Sequence, residues 1–363
     1  MLRLKWLTLI STILAVVIFI HDRKINSTKD LLAGNPLPAE WFAFGDSSLC
    51  PKEDMRPADQ TFLTYPEWFL VHSPAEQVDY FKTHTATTFP YMGHVAQFWD
   101  SYKMVYSPIK NKYPFNTGYH FMIWVIGSSA TAEYALKAAY ETTIGRLTDT
   151  DSGQTMTEED RFNAVYTQQY VDFIKVYPWY EFDFKKRLDG LWSSTSLFDG
   201  GHWLRKWERK YWLTSELLAK WGYGWLIKLG TKAAYEDAVP TTSVVVDRVP
   251  ANTHFKVEKV YSDSSALLML PRYEAFKTAV NELAAENISF HEVAGNKSAI
   301  LITALVPSSL VLDEKDAKPL FSQDILTKPG LQRLAIVCPV SQLSKMIQWI
   351  NTRHLSLEHI YDY

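Results

Sequence analysis

His94 is the side chain in this sequence best placed to do chemistry. It follows Phe89, Pro90 and Tyr91 and precedes Phe98 and Trp99, so an imidazole that titrates near neutral pH sits among aromatic residues. It is either a general base or a hydrogen-bonded histidine in an aromatic core. Two glutamates join it as acid/base candidates. Glu133 precedes Lys137 by four residues and Glu216 precedes Lys220 by four, a repeat at a constant offset of 83. A Glu four before a Lys ordinarily stabilises an exposed helix by about 0.2 to 0.5 kcal/mol. The sharper alternative makes Glu133 and Glu216 catalytic, and Lys137 and Lys220 binding groups, in one cavity of a helical bundle. Glu67 and His72 are a further binding pair if a turn at Pro74 lets them converge, with Ser73 capping the helix that follows and Glu76 completing a capping box.

Compact catalytic signatures are missing. The sequence has no HExxH, no GxSxG, no phosphate-cradling GxxxxGK[ST] and no dinucleotide GxGxxG. The Glu-x-x-His pairs of a di-iron bundle are also missing, and Cys50 and Cys338 stand far apart without zinc-ligand spacing, so no metal site is expected. A single disulfide between those cysteines stays open, and nothing specifies a cofactor. Lys and Arg number 37 against 40 for Asp and Glu, a net charge of -3, which lacks the basic footprint of a nucleic-acid binder.

The elements that must position these groups fall into four segments. Residues 6–20 form an uncharged run of 15 flanked by Arg3 and Lys5 on one side and Asp22, Arg23 and Lys24 on the other. As a helix this run spans roughly 22 Å, short of the ~30 Å hydrocarbon core, a gap that snorkelling basic flanks can close. Phe19, Ile20, His21 and Asp22 offer no small-residue cleavage site, so residues 1–24 are expected to be an uncleaved single-pass transmembrane anchor (a signal-anchor) with the body on the outer face. Residues 25–40 read as a juxtamembrane linker.

Residues 41–239 read as an α-helical, aromatic-rich domain. Thr157 with Glu158, Glu159 and Asp160 starts a helix whose apolar positions recur at three and four up to Pro178, and the offset-83 repeat suggests two long helices facing each other. The stretch 121–126 is apolar on every side and must be buried in protein or lipid. The aromatic residues fit a well-filled core, or a body resting on the headgroup layer.

Residues 240–363 switch to short β-branched runs and show the clearest duplication. Phe276, Ala279, Val280 and Leu283 match Leu343, Met346, Ile347 and Ile350 at an offset of 67, with Pro271 and Pro339 each expected to open a helix. Two βαβ units imply a ferredoxin-like sheet, with 300–306 beside 288–293. The fold class expected is therefore α+β. Two functions fit: a non-catalytic binding or assembly protein engaging a lipid, an apolar small molecule or a membrane protein, and an enzyme on a lipid-like substrate using His94, Glu133 and Glu216.

Overall fold

The computed structural model describes residues 27–33, 35–42, 47–151, 155–198, 201–231, 240–251, 254–313 and 315–361. The anchor expected at 1–24 lies outside the described residues. No helix among the described residues is long and apolar enough to cross a membrane. The fold is α+β, mixing long helices with two antiparallel sheets.

The chain divides into two compact units, one of Phe69–Ala96 and Ile126–Glu236, the other of Ser27–Trp68, Gln97–Val125 and Asp237–Tyr363. The boundary falls inside three helices, α1 (Gln60–Phe81), α2 (Tyr91–Tyr106) and α3 (Thr117–Tyr140). α1 runs unbroken through Pro66 and Pro74. The expected turn at Pro74 is therefore absent. Residues five apart on one helix sit on different faces, so Glu67 and His72 do not converge. Ser73 is a helix-interior residue, not a cap.

The helical unit continues after α3 through a π-helical turn (Glu141–Gly145) into α4 (Arg146–Asp151). It is completed by α5 (Glu158–Ile174), α6 (Phe184–Ser194) and α7 (Trp203–Thr231). α5 starts where its cap was expected: the Thr157 hydroxyl accepts from the Asp160 N–H at 3.2 Å, and the Asp160 carboxylate accepts from the Thr157 N–H at 3.0 Å. Apolar packing in this unit is carried largely by aromatic rings: Phe81, Phe89, Tyr91 and Tyr134 in one cluster, and Tyr166, Phe182 and Phe184 with the aliphatic Leu213 and Leu217 in another.

The second unit holds both sheets. β1 (Thr28–Asp30), inside the expected linker, lies at the edge of a five-stranded sheet ordered β1-β7-β8-β6-β9, with β6 (Ala299–Pro307), β7 (Lys318–Asp324), β8 (Leu331–Pro339) and β9 (Ser356–Tyr361). The other sheet is ordered β3-β4-β2-β5, from β2 (Thr241–Val246), β3 (Lys256–Val260), β4 (Ala266–Pro271) and β5 (Phe290–Val293). β4 and β5 flank β2 and are joined by α8 (Glu274–Ala285); β8 and β9 flank β6 and are joined by α9 (Leu343–Thr352). The duplication is thus a strand, a hairpin, a helix and a strand, made twice. Its apolar positions Phe276, Ala279, Val280, Leu283, Leu343, Met346, Ile347 and Ile350 are all buried, and each fully buried large apolar side chain contributes about 1.5–3 kcal/mol.

Two expectations are corrected here. Each half builds its own sheet, so 300–306 is not beside β5: β6 already has β8 and β9 as its two neighbours. Pro271 ends strand β4 and does not open α8, whose cap is Tyr273, whereas Pro339 ends β8 and also caps the 3-10 turn (Val340–Gln342) that runs directly into α9. A missing N–H at the last residue of a strand leaves the ladder intact. Cys50 and Cys338 are separate buried thiols, not a disulfide, and burial together with the Glu292 carboxylate pushes the Cys50 thiol up to about 12.

Candidate functional site

Polar chemistry in the helical unit is concentrated inside it. Because Ser73 lies in the interior of α1, its hydroxyl points at neighbouring elements: it is 2.9 Å from His94 Nδ1 on α2 and 2.8 Å from the Tyr134 hydroxyl on α3. Glu76 and Gln77, one turn further along α1, complete the group. Glu76 Oε2 is 3.7 Å from His94 Nε2, and the Gln77 amide donates to the Tyr134 hydroxyl. All five side chains are buried, and the Phe89 ring is stacked on the imidazole at 4.8 Å. Burial drives the Tyr134 pKa upward, so the phenol stays protonated and able to donate.

Glu133, Lys137, Glu216 and Lys220 meet as a four-membered square. Lys137 is 3.1 Å from Glu133 and 3.0 Å from Glu216; Lys220 is 3.1 Å from Glu133 and 3.0 Å from Glu216. Burial would raise the Glu133 carboxyl, but Lys220 and Lys137 outweigh it and hold it at about 2; Glu216 is lowered for the same reasons. Two carboxylates clamped between two ammonium groups make poor proton acceptors. The Glu-Lys pairs that would ordinarily lie on an exposed helix face thus lie between two helices.

A second network follows toward the N-terminus of α7, around Arg205 and Arg209. Arg209 Nη1 donates to Glu141 at 2.8 Å and its Nε to Glu208 at 2.7 Å. Arg205 donates to Asp160 at 2.9 Å, to Glu208 at 3.1 Å and to the Gly145 carbonyl of the π turn at 3.0 Å. Both guanidinium groups are 0–1% exposed. Glu141 shows burial winning over its arginine, its carboxyl raised; in Glu208 the same burial is overcome by Arg209 and Arg205 and the carboxyl is lowered. Fixed, interlocked charges of this kind rigidify a core.

The outside of the same helices is apolar. Along α7, Trp203, Trp207, Tyr211, Leu218, Trp225 and Leu229 recur at four- and seven-residue steps on one face, opposite Arg205, Arg209, Glu216 and Lys220. That outer face is open, with Trp203 64% and Trp225 61% exposed. Leu136, Ile144 and Leu147 are exposed on the α3–α4 stretch, as are Phe121 and Trp124 from the apolar segment at the start of α3.

No family model, no curated protein and no solved structure matches this chain.

Of the residues expected to act, His94 lies in the hydroxyl cluster, and Glu133, Glu216, Lys137 and Lys220 lie in the square. His72 is buried in α1, and Glu67 accepts from the Tyr119 hydroxyl at 3.0 Å. Among the described residues no group of three or more His, Cys, Asp or Glu is arranged to hold a metal. Ser73 was expected only as a helix cap, and Tyr134, Glu141, Glu208, Arg205 and Arg209 were not expected to take part. The signal for the last two was present: Trp203, Trp207 and Tyr211 at four-residue spacing, out of phase with Arg205 and Arg209.

Proposed function

We propose that the chain is a membrane-held binding protein whose helical unit seats its aromatic outer face in the headgroup and upper acyl region of a bilayer. The observation that carries this reading is the inverted polarity of α7, with arginines inside and tryptophans outside. In water that arrangement exposes a large contiguous apolar stripe, which monomeric soluble proteins rarely do. At a lipid interface the same stripe is favourable, and Trp and Tyr are the residues most at home there. The buried square and arginine network allow the polarity to be turned around, because charges withdrawn from solvent satisfy one another.

The apolar run at 6–20, with its basic flanks, supports the same placement by supplying a tether, with the body on the outer face. We take the two β-α halves of the second unit as a duplicated ferredoxin-like element, each with its own split β-α-β arrangement, available for a protein partner at the membrane.

The test is residue-resolved labelling of the full chain in phosphatidylcholine vesicles loaded with a lipid-soluble carbene reagent. Adducts are expected on Trp203, Trp207, Tyr211 and Trp225, and replacing Trp203, Trp207 and Trp225 together by Ser should abolish labelling of the remaining face. Adducts confined to residues 1–24 would overturn the proposal, since the anchor alone would then be in lipid.

A further inference from the structure

We propose that Ser73, His94 and Tyr134 form an acyl-transfer site, with Glu76 and Gln77 as positioning residues and Phe89 as its closure, acting on esters of long-chain acyl groups. The nucleophile, base and orienting carboxylate follow the logic by which such sites are recognised, through geometry and not sequence order. The hydroxyl and imidazole are within hydrogen-bond reach at 2.9 Å, and a carboxylate faces the other ring nitrogen at 3.7 Å. The Tyr134 hydroxyl, 2.8 Å from Ser73 Oγ and held by the Gln77 amide, is a donor beside the point where a tetrahedral oxyanion forms. Pro74 directly follows the nucleophile inside α1, a position where proline costs about 3 kcal/mol in an ordinary helix. A local rule broken beside a hydroxyl-imidazole pair is a mark of a functional site.

The chemistry closes. Ser73 Oγ attacks the ester carbonyl carbon while its proton passes to His94 Nδ1. The oxyanion takes the Tyr134 hydrogen bond, and Glu76 stabilises the imidazolium. Collapse breaks the bond to the leaving alcohol, which takes the proton from His94 and departs, leaving acyl-Ser73. Water then attacks that ester by the same route, its proton moving through His94 to Ser73, and a carboxylic acid is released. The substrate class rests on the lipid-contact reading; the arrangement of hydroxyl, imidazole and carboxylate does not.

Access is the controlling step. Phe89 follows a short 3-10 turn (Ala86–Thr88) between α1 and α2, and its ring covers the imidazole. The ring is itself buried against Phe81 and Tyr91, so substrate reaches Ser73 only when it is displaced from that packing, and shortening the side chain should open the way.

The experiment treats the full chain in vesicles with a long-chain alkyl fluorophosphonate and locates adducts by peptide mass. One adduct on Ser73 is expected, lost in Ser73→Ala and slowed about 100-fold or more in His94→Gln, the usual worth of a general base. Phe89→Ala should speed capture at least about tenfold by removing the closure; Phe89→Leu replaces it if the alanine variant does not unfold cooperatively. Glu76→Gln should narrow the pH range of capture, which a merely structural carboxylate would leave alone. Absence of a Ser73 adduct in a cooperatively folding Phe89 variant overturns the site, as does an adduct indifferent to His94→Gln. Carbene labelling of α7 without capture at Ser73 removes this site and leaves the lipid reading standing. Capture at Ser73 without α7 labelling does the reverse, and a short-chain probe then replaces the long-chain one.

Discussion

Gly145 shows how little room the buried network has. A Cβ added there would lie 2.5 Å from Glu141 Oε2, 3.2 Å from Arg209 and 3.3 Å from Thr87. The Glu141 carboxylate is pinned by Arg209 and cannot swing aside without opening a buried ion pair. Gly145→Ala is therefore expected to destabilise by about 1–3 kcal/mol, the ordinary cost of overpacking, read from urea midpoints. No change would mean that the π turn relaxes freely. Glu208 and Glu141 should separate clearly. Glu208 is held ionised by two arginines, so Glu208→Gln strands charge in the core and should cost about 3–5 kcal/mol. Burial raises the Glu141 carboxyl despite Arg209, so its charge is the less firmly held of the two and Glu141→Gln should cost less than Glu208→Gln. Equal losses would contradict the assignment of charge. At this scale the sequence was legible where a residue type announces itself, as His94 does. It was not legible for Ser73, because a Ser followed by Pro reads locally as a helix start and only tertiary packing keeps α1 continuous through it.

At the level of elements, the repeated Glu-x-x-x-Lys is informative because it is self-complementary only when two copies run antiparallel. Glu133 then meets Lys220 and Lys137 meets Glu216, as the square has it. Further along, Glu141 meets Arg209 and Gly145 meets Arg205, so rising numbers in one helix face falling numbers in the other. Exchanging charges on α3 alone, Glu133→Lys with Lys137→Glu, sets like charges against each other and should lower the melting temperature. Adding Glu216→Lys with Lys220→Glu should restore most of it. A fourfold variant no better than the twofold one would show that the square does not set the pairing.

Acid tests the same contact. Glu133 sits at about 2 against an ordinary 4.5, so its contribution is complete above pH 4.5 and is lost as pH falls toward 2. The wild type should lose stability through that window more steeply than Glu133→Gln, measured by urea unfolding at successive pH values. That these two long helices face each other could be read from the spacing of their Glu-x-x-x-Lys pairs. Their inverted polarity could not, since periodicity gives a face and not which solvent it meets.

The whole molecule joins a sheet unit whose logic was largely visible with a helical unit whose surface was not. The switch to β-structure near Pro240 and the twofold repeat in the tail follow from local pattern. β1 does not: a three-residue strand pairing with β7 almost 300 residues later leaves no local trace. The division into two sheets was equally hidden, because register and neighbour choice are non-local.

The outer face of α7 makes one further demand on the molecule as a whole. With a net charge of only -3 and Trp203, Trp207, Tyr211 and Trp225 on that face, the proposed seating in a bilayer requires the attraction to come from apolar area and aromatic side chains rather than from ions. Raising salt from about 0.1 M to about 1 M shortens the Debye length from about 10 Å to about 3 Å and would strip off a protein held by charge. Carbene labelling of the α7 face in neutral phosphatidylcholine vesicles should therefore be unchanged across that range. Introducing a charge in the middle of the face, Trp207→Glu, should reduce it severalfold while the buried network, on the opposite side of the helix, keeps the unit folded. Labelling that falls by half or more with salt would mean that charges hold the unit at the surface, and the aromatic stripe would need another partner.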